Sequence, residues 1–295
     1  MEQRRRAYAG IFGAIETLRK GSMSMSAEGS YQISTVASSV QHEIQRLQGQ
    51  VALFWEKEVK HYVEFGLRDG HSVVELGAGP GYVTENILRQ FPHTRAVAVE
   101  IDPLLADYAR EHTLSSFGDR CEILDGSIMA TGLPDDTFDF AVTRLVLEHL
   151  PDPVSAVREV KRILKPGGTA VFVDNDFEMH IMTYPSIPEL RLLYEAYCES
   201  RIAEGGSPRL GRQLPSVLRQ GGFAEIDFEV ICAHSDLLGD EMFLKSEGIG
   251  IPTKLVKDGF LPSKTLAQIA YAWRNMIRHE QNSILRQLYL AAGRK

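Results

Sequence analysis

The chain has 295 residues, 44% hydrophobic and 24% charged, enough to bury a large core in one domain plus an elaboration. Its 39 acidic against 32 basic side chains give a net charge of -7, which argues against a polyanion-binding surface, so no nucleic-acid partner is expected. The three scattered cysteines, Cys121, Cys198 and Cys232, lack metal-ligand spacing and read as reduced side chains of a cytoplasmic protein. No stretch approaches the roughly 18 consecutive apolar residues of a membrane span.

Arg4, Arg5 and Arg6 precede Tyr8, Ile11, Phe12, Ile15 and Leu18 at helical spacing. An amphipathic helix is expected there, packed over its own domain or else touching a membrane or a partner subunit. Residues 21–30 are small and polar and read as a linker. Two helices are then expected over 38–50 and 51–65, ending at Gly66, with Leu47, Val51, Phe54 and Trp55 turned inward.

From residue 72 onward the pattern alternates. Ser72–Leu76 is a short apolar run with β-branched residues, as a buried strand requires. Gly77, Gly79 and Gly81 follow at alternate positions, and then a helix pattern with Val83, Ile87 and Leu88. A strand, a glycine turn and a helix bring backbone N–H groups to a helix N-terminus, where a polar ligand can approach unobstructed by Cβ atoms. Further strands are expected at 96–100, 121–124, 138–143 and 169–174, with helices between them. Asp102 and Pro103 open one helix as N-cap and first-turn residue, and Lys165-Pro-Gly-Gly168 breaks another. Such alternation implies a doubly wound, mostly parallel sheet whose ligand sits at the carboxyl ends of the strands.

Three acids stand at those ends. Glu75 lies beside the glycines, Glu100 ends the second strand, and Asp125 ends the third. A carboxylate after the second strand suits both hydroxyls of a ribose. Asp125 suits an exocyclic ring amine, and Glu75, as a buried acid, needs a partner such as an ammonium group. The trio fits a ligand with an amine, a ribose and a base better than one with a pyrophosphate.

Taken in order, these residues resemble class I S-adenosylmethionine-dependent methyltransferases. The resemblance rests on Glu75-Leu-Gly-Ala-Gly-Pro-Gly81, on Val99-Glu100-Ile-Asp102, and on Leu124-Asp125-Gly-Ser with Leu133-Pro-Asp-Asp-Thr-Phe-Asp139. Leu147-Glu-His-Leu-Pro-Asp152 and Arg162-Ile-Leu-Lys-Pro-Gly-Gly168 complete it, over about residues 70–175. The resemblance implies an α/β, Rossmann-like sheet of seven strands with the last antiparallel. Residues 224–232 and 286–292 would supply the last two.

The resemblance also implies roles. Gly77, Gly79 and Gly81 would lie against the methionine portion of the S-adenosylmethionine cofactor and Glu75 would orient its amino group. Glu100 would hold the ribose and Ile101 pack on the adenine. Asp125 would accept from the adenine amine, with Gly126 and Ser127 beside the ring. Gly126 departs from the small alanine-like residue usual there. Thr143 and Arg144 would lie under the methionine or face the substrate. For an oxygen or carbon nucleophile a general base is needed, and His180, His149 and Glu148 are the candidates, His180 first because it follows the fifth strand.

Residues 235–283 are too many for a plain connection between two strands. Met242, Phe243, Ile249, Leu255, Leu266, Ile269 and Trp273 give them an apolar face, so a helical insertion that acts as an acceptor lid is expected, with a homodimer contact as the other reading. The expected organisation is an N-terminal helical region at 1–65 lending Tyr31 and Trp55 to the lid, a methyltransferase core at 66–234 and 284–295, and the insertion. The expected activity is methylation of a small apolar or aromatic metabolite in a biosynthetic pathway, at oxygen, carbon or nitrogen. The alternatives are a nicotinamide-dependent oxidoreductase and a non-catalytic S-adenosylmethionine-binding protein.

Overall fold

The computed structural model describes residues 40–247 and 250–295. The expected helix at 8–18, the linker at 21–30, Tyr31 and Ile249 lie outside the described residues. Eight strands form one sheet, with β1 Ser72–Leu76, β2 Arg95–Glu100, β3 Cys121–Asp125, β4 Phe138–Arg144, β5 Leu164–Asp174, β6 Ile181–Tyr184, β7 Ala224–His234 and β8 Ser283–Arg294. Their order is β3-β2-β1-β4-β5-β8-β6, with β7 also paired to β8. β1 pairs in parallel with β2 on one side and β4 on the other, so the winding reverses at the ends of β1 and β4. A crevice opens there because the two connecting chains leave in opposite directions.

All five residues of β1 are buried, as a central parallel strand covered on both faces must be. Successive side chains alternate between the two layers. Val73, Phe140, Val142 and Val171 pack with Phe54 and Tyr62 of helix α1 (Val40–Glu64) and with Val83 and Ile87 of α2 (Tyr82–Gln90). Val74, Leu76, Ala141 and Phe172 face the other way, against Val157 and Val160 of the Pro153–Ile163 helix and Leu214 and Leu218 of the Leu214–Gln220 helix. Asp102 caps its helix as its sequence requires, its side chain accepting from the Leu104 and Leu105 N–H groups.

Several expectations change. Among the described residues the sheet has eight strands rather than seven, because β6 pairs with the first residues of β8 on the same edge that β5 uses farther along. At four residues, β6 carries too little periodicity to be read locally. The expected antiparallel strand is β8, which runs opposite to β5, β6 and β7. The two N-terminal helices are one, α1. Gly49 lies within it, at a point where a Cβ would stand 3.2 Å from the Lys245 backbone of a helix packed across it. β5 starts at Leu164 rather than 169, because the chain end pairs with the glycines: Gly167 N–H donates to Lys295 O and Lys295 N–H to Gly168 O.

Between β7 and β8 the chain forms helices at Ser235–Leu238, Asp240–Glu247, Gly250–Lys257 and Ser263–Ile277. Phe243, Ile269 and Met276 join the core shared with α1, while Leu255 and Leu261 pack with Tyr197 of the Leu190–Ala203 helix and with Phe177.

Candidate functional site

At the end of β1 the chain turns tightly. Gly77 and Ala78 N–H both donate to Val99 O, at 2.8 and 3.0 Å. The three glycines prove to have different reasons. A Cβ on Gly77 would collide with Val146, and one on Gly81 would stand 2.8 Å from Leu114. Gly79, with φ +55°, would meet nothing within 4 Å, so its bare Cα faces open space.

The two acids flanking that turn are buried and hydrogen bonded. Glu75 Oε2 accepts from the Thr84 N–H at 2.8 Å and from the Thr84 hydroxyl, and burial pushes its carboxyl up to about 8. Glu100 Oε2 accepts from Gly79 N–H at 2.6 Å, while Oε1 accepts from Ile101 and Asp102 N–H at 2.9 and 2.8 Å. Burial raises its affinity for a proton as well, and these donors oppose the rise. Glu100 therefore ties the glycine turn to the end of β2.

A cavity of about 630 Å³ opens from this turn, a volume typical of sites that enclose a whole small ligand. Glu75, Gly77, Gly79, Glu100, Ile101, Gly126, Ser127, Arg144, Glu148, His149 and His180 all line it. Gly81, Asp125 and Thr143 do not. Gly81 is turned into the packing against Leu114. The Asp125 carboxylate, at the end of β3, is exposed and takes an ion pair at 2.7 Å from Arg110 Nη2. Thr143 is buried in the sheet, its hydroxyl without a partner among the described residues. Arg144 does reach the cavity, but its guanidinium is already held by α1, with Nη2 2.9 Å from Glu58 Oε1 and donating to Gln50 O at 3.0 Å.

The wall opposite the turn is built from three segments. From α1 come Arg46, Leu47, Gln50 and Val51; Trp55, expected there, packs in the core instead. Tyr194, Tyr197 and Arg201 come from the Leu190–Ala203 helix, and the insertion adds Leu244, Glu247, Ile251, Leu266, Ile269 and Trp273.

The three candidate bases differ sharply. His149 is buried among Arg201 and Arg46, and burial drives its basicity well below that of a free imidazole. Glu148, raised by burial, sits 3.4 Å from His149 Nε2 and accepts weakly from Asn175 Nδ2 at 3.4 Å. His180 is 3% exposed, stacked on Phe177 at 4.6 Å, and edge-on to Tyr194 at 5.3 Å. Its Nε2 lies 3.2 Å from Glu247 Oε2, and Nδ1 has no partner among the described residues. Burial lowers its pKa, and the Arg286 charge lowers it further, against the opposing Glu247 carboxylate. Glu247 itself is held down to about 2 by Arg286 and His180.

Residues 74–172 match the family model described as a methyltransferase domain. An uncharacterized methyltransferase of Schizosaccharomyces pombe is 34% identical over 148 residues, covering 48% of this chain and 52% of that protein. The malonyl-[acyl-carrier protein] O-methyltransferase of a Paenibacillus species is 27% identical over 197 residues, 65% of this chain and 70% of that one. In fold, the chain resembles phosphoethanolamine N-methyltransferase 2 of Haemonchus contortus in complex with S-adenosyl-L-methionine, with a TM-score of 0.55 and 15% identity over 84% of this chain and 56% of that one. Over residues 74–172 these matches support a methyltransferase domain of the class I S-adenosylmethionine-dependent kind.

The chain spans about half the length of the first curated relatives it matches. The domain match at residues 74–172 sets the nicotinamide alternative aside, and the cofactor of that domain family is S-adenosylmethionine. Its turn fits that molecule: open space over the Gly79 Cα admits a ligand, and two buried carboxylates flank it. Sequence reasoning missed Arg46, Glu58, Tyr194, Tyr197, Arg201, Glu247 and Arg286. They come from segments outside the family motifs, and no local signal marks them.

Proposed function

We propose that the chain methylates a hydroxyl oxygen of a small, largely apolar acceptor enclosed in this cavity. One observation carries the reading: a single cavity is lined both by Gly79 and Glu100 and by His180, between walls of Tyr194, Tyr197, Leu266 and Trp273. S-adenosylmethionine supplies an electrophilic methyl group on a sulfonium. Glu100 would take the ribose hydroxyls, giving up its bond to Gly79 N–H, and Ile101, Gly126 and Ser127 would border the adenine. Glu75, near neutral charge from its burial, would meet the amino group and ionise against it.

The proton balance falls to His180. Glu247 is ionised at neutral pH and can only accept, so the His180 proton resides on Nε2 and Nδ1 carries a bare lone pair. Nδ1 would take the acceptor's hydroxyl proton during methyl transfer, and Glu247 would steady the resulting imidazolium. Helices 240–247 and 263–277 serve as the lid that keeps water from the electrophilic carbon.

Calorimetry with S-adenosylhomocysteine and with NAD tests the reading. The first is expected to bind and the second not, and Glu100→Ala should weaken S-adenosylhomocysteine by about 1.5–3 kcal/mol, the range for a hydrogen bond to a charged group. Undiminished affinity in that variant would rule out the ribose role.

A further inference from the structure

We infer that the acceptor carries a carboxylate, seated on the Arg286 guanidinium beside His180. The inference rests on the methyltransferase reading and narrows its substrate. Arg286 belongs to β8, where it pairs with Ile181 of β6 on one side and Ala233 of β7 on the other. It is 1% exposed and lines the cavity. An arginine does not escape burial by losing its proton, so it needs an anion.

The anion it has is shared. Arg286 Nε lies 3.0 Å from Glu247 Oε1, but the same carboxylate serves His180 at 3.2 Å and stands 3.4 Å from the Ser246 hydroxyl. Neither Nε nor Nη1 of Arg286 makes a hydrogen bond among the described residues, the Nε contact with Glu247 being an ion pair alone. The Phe54 ring, 5.5 Å from the guanidinium carbon, covers one face. Nearby cations add to the imbalance, because Arg46 and Arg144 both repel Arg286. Those two are occupied elsewhere, Arg144 by Glu58 and Arg46 by Glu43.

Glu148 also interacts with Arg286 but makes no ion pair with it, so among the described residues the guanidinium has only a share of Glu247 in contact and an unpaired donor, which is costly unless another anion arrives. A carboxylate in the cavity would supply it, as a charge-assisted bond to the planar fork. A phosphate dianion would bring more charge than the site lacks and would repel Glu247. The cavity is thus divided: Glu75 and Glu100 flank the turn that receives a cationic cofactor, and Arg286 answers an acid on the acceptor.

The full chain, loaded with S-adenosylhomocysteine, is titrated calorimetrically with benzoate, benzamide and phenyl phosphate. Benzoate is expected to bind about tenfold or more tightly than either of the others, and Arg286→Gln to weaken it by about tenfold to a hundredfold with S-adenosylhomocysteine affinity unchanged. Equal binding of benzoate and benzamide, tighter binding of phenyl phosphate, absence of benzoate binding, or an unaffected Arg286→Gln would each overturn the inference. The comparison of probes on the unaltered protein decides the matter even where Arg286→Gln does not fold. Failure of S-adenosylhomocysteine to bind would sink the methyltransferase reading instead, and benzoate titrated without it still tests the carboxylate seat.

Discussion

His180 Nε2 and Glu247 Oε2 stand 3.2 Å apart across 67 residues of sequence, joining the bend after β5 to the helical insertion. The same Glu247 reaches Arg286 Nε at 3.0 Å through its other oxygen. One carboxylate therefore fixes the imidazole tautomer and shares in neutralising a buried guanidinium, so altering it should disturb both.

With a hydroxylated acceptor found by screening for transfer of labelled methyl groups, His180→Asn should lower kcat by about 10²–10⁴, the usual share of a positioned base. Burial lowers the His180 pKa, so the rate should rise with pH through a midpoint below the ordinary imidazole value of about 6.5. Glu247 raises that pKa, so Glu247→Gln should shift the midpoint further toward acid as well as slow the reaction. A profile unmoved by either change would remove His180 from the chemistry.

Gly79 and Gly77 should respond differently to the same replacement. Gly79→Val projects a side chain into open space and is expected to leave a folded protein that no longer binds S-adenosylhomocysteine, apart from the strain of φ +55°. Gly77→Val drives into Val146 and should lower the melting temperature markedly. Circular dichroism melts beside binding isotherms separate the two. Retained binding by Gly79→Val would show that the turn faces no ligand.

Glu58 and Arg144 form an ion pair with both side chains nearly excluded from solvent, at 1% and 6% exposure. Glu58 also accepts from the Tyr62 hydroxyl at 2.8 Å. Glu58→Gln leaves the arginine charge buried without its counter-ion and should destabilise by about 3–5 kcal/mol in urea unfolding. The paired change Glu58→Met with Arg144→Met should cost less than Glu58→Gln alone. The reverse order would mean that Arg144 tolerates its burial without the Glu58 charge.

Glu75 gives a pH-dependent prediction. Its folded pKa is raised to about 8, above the unfolded value near 4.5, so the folded state binds the extra proton between those limits. Its contribution to stability is complete below about 4.5 and is lost as pH rises toward 8. Glu75→Gln resembles the neutral acid, so without cofactor the variant should lose less melting temperature than the parent between pH 5 and about pH 8.5. Parallel melting curves for the two proteins would contradict the assignment of a buried, neutral carboxyl.

The order of β1 to β5, the glycine turn and the acids at strand ends were legible from sequence because each signal is local. A strand buried on both faces is written as an apolar run, and a tight turn as glycine. Glu75 and Glu100 were found in the same way, from their places one residue inside or at the end of a strand. Asp125 had an equivalent local position, yet Arg110, from the turn after the Pro103–Tyr108 helix, takes its carboxylate. No property of residue 125 alone reveals that.

What only the tertiary structure decided lies across long sequence distances. β6 exists because β8 offers it an edge, and Gly49 sits within α1 where another helix crosses closely. His180 became distinct from His149 through Glu247, and Arg286, within an apolar strand pattern, proved to line a cavity. Sequence periodicity records which face of an element is buried. It does not record which buried charges meet, because that depends on how separate elements pack, and in this chain those meetings make the acceptor side of the site.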